Sequence, residues 1–205
     1  MADYTTTTIH QFHDNCCLSS EAINYVGLYP ESKYKSILTC PNNTAAWVQF
    51  FIPKVVDIPA QKPDMEEIIS VQSSAQIISK RVIKTPTVTG YTNTAGVFVP
   101  GNEIDNAEGT RLTGRKLIVE GLLHQKVIYT ADVPQQSVHS AHFSIPFSVF
   151  IVVAGDTPLI QQVDVTAAIE DIFVCQLSAR SIFTNAAIFI KSNNPIFTPL
   201  ILSFL

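Results

Sequence analysis

The stretch Lys116-Leu117-Ile118-Val119-Glu120-Gly121-Leu122-Leu123-His124-Gln125-Lys126-Val127-Ile128-Tyr129-Thr130 alternates in polarity. Leu117, Val119, Leu123, Val127 and Tyr129 fall on one side. Lys116, Glu120, His124 and Lys126 fall on the other. A period of two is the side-chain period of a β-strand, whereas a helix repeats near 3.6. Val, Ile and Tyr are also residues that fit a pleated, half-buried surface. The stretch therefore predicts a strand with one face in a core and the other in water.

Working outward, the same punctuation recurs. Towards the C-terminus, Gln136 to Ile145 and Ser148 to Val153 read as two short strands separated by Pro146. Gln161 to Leu177 places Val163, Val165, Ala167, Ile169, Phe173, Cys175 and Leu177 on one face. Gln162, Asp164, Thr166, Glu170 and Gln176 take the other. Asp171 falls on the apolar side, where a lone carboxylate is costly, so either a bulge turns it outward or it caps loop amides. Arg180 to Lys191 reads as a final strand. Towards the N-terminus, Thr87 to Thr113 is a long glycine-bearing excursion with room for one hairpin, and Ser74 to Thr85 is β-rich. Asp64 can cap a helix whose first turn holds Glu66 and Glu67, which predicts one short helix over Asp64 to Ser70. Val55 to Ile58 and Trp47 to Ile52 are extended runs, the latter ended or kinked by Pro53. Short strands at turn-punctuated spacing predict an all-β fold, a sandwich or open barrel of mostly antiparallel strands with that one helix.

Two flanks differ from this domain, giving an arm at 1–43, a β domain at 44–192 and a tail at 193–205. The arm carries a threonine run, then His10, His13, Cys16 and Cys17, then Glu21 to Tyr29 as one helical turn or a short strand, and Cys40 beside a turn signal. The tail is apolar through Ile196, Phe197, Leu200, Ile201, Leu202, Phe204 and Leu205, and is broken by Pro199. It is too short to span a bilayer. Either it packs on its own domain or it docks on a neighbour by strand addition.

Composition bounds the function. The 205 residues are 46% hydrophobic and 15% charged, which excludes a disordered chain and leaves a surface poor in charge. A net charge of −4 offers nothing to a phosphate backbone, so nucleic acid is not an expected partner. There is no membrane-spanning stretch, and Met1 to His10 lacks the basic and apolar regions of a signal peptide. The expectation is synthesis in a cytoplasm, with the four cysteines reduced at that stage.

No nucleophile elbow, phosphate loop, dinucleotide fingerprint or zinc-protease motif is present, so no catalytic residue, cofactor or metal is assigned and the chain is not expected to be an enzyme. His139 and His142 lie three apart and so point to opposite faces of a strand. His10, His13, Cys16 and Cys17 have zinc-ligand chemistry, but adjacent cysteines do not match structural zinc spacing. Neighbouring cysteines cannot easily bridge to each other. Cys16, Cys17 and Cys40 are instead candidates for cross-links between subunits. Cys175, among apolar neighbours, reads as a buried, inert thiol. Asn42-Asn43-Thr44 is a glycosylation sequon with meaning only on a secretory route.

Several ordered blocks resemble the SPOCS domain of spore coat and SipL-like proteins of spore-forming anaerobic bacteria. They are Trp47-Val48-Gln49, Ile58 to Ile68 (Ile-Pro-Ala-Gln-Lys-Pro-Asp-Met-Glu-Glu-Ile), Gly114 to Gly121, Val138 to Phe143, Pro146 to Ile151 and Ile169 to Phe173. The resemblance runs from about Ala45 to Lys191. It implies a protein made in the mother cell without a signal peptide and laid on the developing spore, and it carries over no active site. The expected function is a structural protein of the spore surface (coat, exosporium or appendage) that self-assembles into an ordered sheet or filament, possible cross-links being its cysteines. Its partners are then itself and other spore coat proteins. The alternative is a non-enzymatic adaptor that recruits coat proteins during coat morphogenesis. The chain lacks the LysM module and further SPOCS copies of the adaptor type.

Overall fold

A computed structural model describes residues 23–30, 47–86, 91–92, 94–96, 98–99 and 113–192. Nine strands follow in chain order: β1 (Asn24–Val26), β2 (Trp47–Asp57), β3 (Met65–Lys84), β4 (Tyr91–Thr92), β5 (Phe98–Val99), β6 (Arg115–Ala131), β7 (Val138–Val152), β8 (Val165–Gln176) and β9 (Ser181–Ser192). Sheet A has the order β1-β3-β6-β7 and sheet B the order β2-β9-β8, while β4 and β5 form a separate small hairpin inside the long excursion. All pairs are antiparallel except β1 with β3. The architecture is a two-sheet sandwich, as the punctuation of the sequence implied.

Strand β6 is the spine of sheet A. Leu117, Val119, Leu123, Val127 and Tyr129 are all buried, in the phase their alternation required. They face Ile182, Ala186, Ile188 and Ile190 of β9, the central strand of sheet B, in one continuous core. Gly121 interrupts the inward row for a packing reason. A Cβ there would lie 2.4 Å from the Phe147 ring and 2.5 Å from the Gln76 carbonyl oxygen, so the ring of its register partner fills the space instead.

Both strand-interior prolines sit on edge strands. Pro53 lies within β2 and Pro146 within β7, and neither ladder shifts register there. An edge position tolerates proline when the nitrogen faces away from the neighbour. Pro146 therefore does not split β7, and Pro53 does not end β2.

The helix expected over Asp64 to Ser70 is absent: those residues open β3. Met65, Ile68 and Val71 are buried at a spacing of three because register shifts fall between Met65 and Glu67 and between Ile68 and Ser70. Each bulge adds a residue, and two in succession stretch a period of two into an apparent period of three. The groups that would begin a helix have other partners. Asp64 pairs with Arg180 and its carbonyl accepts from the Asp132 amide, while the Met65 amide donates to the Ala179 carbonyl at 2.7 Å.

A bulge also resets β8. The shift between Ile169 and Asp171 turns Asp171 to solvent, one of the two solutions its charge allowed. Beyond it the phase inverts: Ile172 and Val174 enter the core, while Phe173 and Cys175 move to the outer face of sheet B, so the single apolar face expected through Leu177 does not hold. Cys175 is 3% exposed and is joined in a disulfide, which corrects the expectation of an inert thiol. It is the one cysteine among the described residues, so its partner lies outside them.

The two sheets are tied at one end by Arg180, in the turn between β8 and β9. Its guanidinium donates to the carbonyls of Lys62 (3.2 Å), Ile58 (3.1 Å) and Pro59 (2.8 Å) and pairs with Asp64. Those residues form the crossover that carries the chain from β2 in sheet B to β3 in sheet A. The Ile58 amide returns a bond to the Arg180 carbonyl at 2.7 Å, and Tyr129 Oη donates to the Pro63 carbonyl. Arg180→Ala leaves three carbonyls and a carboxylate without this donor. It is expected to lower stability by about 1–3 kcal/mol in denaturant unfolding. A change within error would show that the backbone bonds hold the crossover without the side chain.

Candidate interaction surfaces

The outer face of sheet A is mixed. On β6 the residues alternating with the core set include Glu120, His124 and Lys126 beside Ile118, Leu122 and Ile128, and register sets His124 opposite Ser144 and Lys126 opposite His142. His124 Nε2 lies 2.9 Å from Gln76 Oε1, and His124 Nδ1 lies 3.0 Å from Ser144 Oγ. The amide oxygen accepts, so Nε2 is the donor of that contact, and the serine hydroxyl completes the chain at Nδ1. This chain spans three strands, β3, β6 and β7. Beside it runs a groove of about 600 Å³ that includes Gln72, Ser74, Lys126 and His142 and is walled by Val26 and Gly27 of the N-terminal segment. Gly27 makes that approach possible: its φ is +106°, and a Cβ would lie 1.9 Å from the Ser73 carbonyl oxygen. The groove is open to solvent, and sheet pairing to β3 and β7 occupies β6 on both sides. Such a face exchanges hydrogen bonds with a polar surface.

The histidine pair separates as strand geometry requires. His142 is exposed on the outer face, whereas His139 stacks on Tyr129 at 6.0 Å on the inner side and meets the Ser137 hydroxyl at 3.0 Å. Among the described residues no group of three His, Cys, Asp or Glu side chains converges on a metal position.

Sheet B is different. The outward residues of its edge strand β2 include Trp47, Phe51 and Val55, which are 53%, 71% and 50% exposed. Val48, Phe50, Ile52 and Val56 alternate with them and pack on or in the core. Trp47 leans on Phe189 at 5.8 Å, and on the same outer face Phe173 meets Phe183 at 6.2 Å. The result is an apolar stripe along a strand that pairs, among the described residues, only with β9. The opposite side of the sandwich is stitched: β1 adds to β3, and the Tyr29 amide donates to the Ile169 carbonyl of β8 at 2.8 Å.

The cross-link candidates Cys16, Cys17 and Cys40 lie outside the described residues. So do the docking candidates Ile196, Phe197, Leu200, Ile201, Leu202, Phe204 and Leu205, and the histidine-cysteine group of the arm. The sequence reading overlooked the exposed stripe and the Gln76–His124–Ser144 chain. Pro53, inside a strand-like run, signalled that β2 is an edge, but which of its two apolar rows faces outward had no local signal. The hydrogen-bonded chain had no local signal, since it joins strands far apart in sequence.

Comparison with known proteins places these surfaces in a family context. A family model described as SipL, SPOCS domain matches residues 64–177, from the last residue of the crossover through the end of β8. No curated protein and no solved structure matches the chain.

One charge borders the apolar stripe. Glu170, in the β8 bulge, accepts from Gln49 Nε2 at 2.8 Å, and burial raises its pKa above the ordinary carboxylate value. The folded state then holds this proton more tightly than the unfolded chain. Stability from this group falls as pH rises from the ordinary carboxylate pKa through the raised one, and the penalty stays constant above that. Glu170→Gln keeps an acceptor for Gln49 and removes the penalty. Thermal melts are expected to show the variant more stable than the parent near pH 7 and equal to it at about pH 3. The same difference at both pH values would assign the effect to packing.

Proposed function

Because the chain belongs to the SPOCS domain family of SipL, it is a sporulation-related protein, and we propose that it is a non-enzymatic structural component of the spore surface that self-assembles into an ordered sheet or filament. The observation that supports this reading best is the apolar stripe of Trp47, Phe51 and Val55 on an edge strand. Exposed large apolar side chains along one row, on a strand whose far edge has no partner among the described residues, form the kind of surface that associates. When such a contact joins different patches on two copies and does not close, it propagates into a lattice or fibre. The low charge content favours close packing of subunits over a well-solvated monomer. Cys175 takes one disulfide partner outside the described residues, and the thiols that remain among Cys16, Cys17 and Cys40 then serve as cross-links between subunits, formed once the mother cell lyses and they meet oxygen.

A second reading draws on the other face. The polar groove around His124, Lys126 and His142 suits docking of a different protein, as an adaptor that recruits coat components would require.

Negative-stain electron microscopy and sedimentation of the purified protein, across a concentration series and with or without reductant, separate the two. Assembly predicts ordered sheets or filaments whose mass grows with concentration and whose order weakens in reductant. Uniform small particles at every concentration would overturn the structural reading in favour of the adaptor.

A further inference from the structure

We propose that the free edge of β2, over Trp47 to Ile52, is an acceptor for the C-terminal segment Leu200 to Leu205 of a second copy of this chain, which adds to sheet B as an antiparallel strand. The inference deepens the self-assembly reading and rests on it.

The acceptor is defined by what β2 offers. Its backbone pairs with β9 on one side and, among the described residues, with nothing on the other. Trp47 to Ile52 is the part before Pro53, so it is an uninterrupted six-residue edge. Its outward row carries Trp47 and Phe51. Its inward row carries Val48, Phe50 and Ile52, with Phe50 against the Phe147 ring of β7 at 5.4 Å. A strand added here therefore needs apolar side chains on both faces: one row extends the stripe and the other continues the inward row of Val48, Phe50 and Ile52.

Leu200-Ile201-Leu202-Ser203-Phe204-Leu205 meets that requirement. It follows Pro199, is free of proline, has the same six-residue length and carries no charged side chain. Its alternate rows are Leu200, Leu202 and Phe204 on one side and Ile201, Ser203 and Leu205 on the other, apolar on both faces but for one hydroxyl.

Direction selects a second copy over the chain's own tail. Strand β9 runs antiparallel to β2, with Lys191 opposite Trp47, so the chain leaves β9 at the Trp47 end. Its own tail, turned back along the edge, would run parallel to β2. A tail from a second copy is free to run antiparallel, which is the more stable pairing per residue. Residues 193–199 span up to about 23 Å when extended, enough to reach an adjoining subunit. Each copy then gives one strand and accepts one, a head-to-tail contact that propagates.

Two full-length variants test the pairing. One breaks the tail (Leu202→Asp with Phe204→Asp) and the other breaks the acceptor (Phe51→Lys). All three positions lie on a surface or in the tail, and thermal melts verify that each variant folds; Trp47→Lys stands in if Phe51→Lys does not. Sedimentation velocity is expected to show that each variant alone needs at least tenfold more protein than the parent to assemble. An equimolar mixture is expected to give a 1:1 dimer that grows no further, because one intact tail meets one intact acceptor. Variants that assemble like the parent, or a mixture that stays monomeric, overturn the tail pairing. If the parent itself does not assemble, the self-assembly reading fails separately, and the mixture still decides the docking: a dimer supports it and monomers overturn it.

Discussion

The relative placement of the two sheets depends on the grip of one guanidinium on a backbone loop. Arg180 sits where β8 turns into β9 and holds three carbonyls and a carboxylate of the Ile58–Asp64 crossover. The chain changes sheets there, and a crossover without hydrogen-bonded partners would leave polar backbone groups idle at the end of the core. Arginine suits the task because its planar donors reach several acceptors at once. The ion pair with Asp64 is partly exposed and contributes little by itself. Its worth is geometric: with the crossover fixed, Met65 enters the core and β3 begins in register with β6.

How far the sequence discloses this fold varies with how local each determinant is. Strand β6 was legible because it keeps one unbroken period from Leu117 to Ala131, its inward row being filled from its own pattern except at Gly121, where the Phe147 ring enters. The start of β3 was not, because two bulges impose a helix-like spacing on Met65, Ile68 and Val71 while Glu66 and Glu67 mimic a helix start. Strand β8 fell between these cases. Asp171 announced a bulge by its charge, but only the pairing with β9 shows that everything after it changes face, carrying Cys175 from the inner to the outer face of sheet B, where it is still buried. The surfaces were harder still. Trp47 and Phe51 look like core residues by composition, and their exposure follows from β2 being an edge, a fact of topology. The Gln76–His124–Ser144 chain depends on three strands in register and has no signature in any one of them.

The two outer faces divide the labour of the molecule. Around His124 sheet A presents hydroxyl, amide and imidazole groups that bond one another, set among half-buried Ile118, Leu122 and Ile128. Sheet B presents rings and a valine beside the Glu170 carboxylate, which is held against its preference. The N-terminal segment reinforces this asymmetry. It runs along β3, crosses towards β8 and seats Tyr29 against Ala168 and Phe189, so one side of the sandwich is bound while the β2–β7 side has no such strap among the described residues. A disulfide at Cys175 adds a covalent tie on the sheet B face.

Pro146 has a consequence of its own. Among the described residues strand β7 is a long edge, Val138–Val152, with Phe143, Phe147, Val149, Phe150 and Ile151 along it, and such a strand is a template for indefinite backbone stacking between identical chains. A proline near its middle removes one amide from the free row, and no continuous ladder of partner strands can pass that point. The strand thus carries a long apolar run without offering an unbroken template for cross-β stacking.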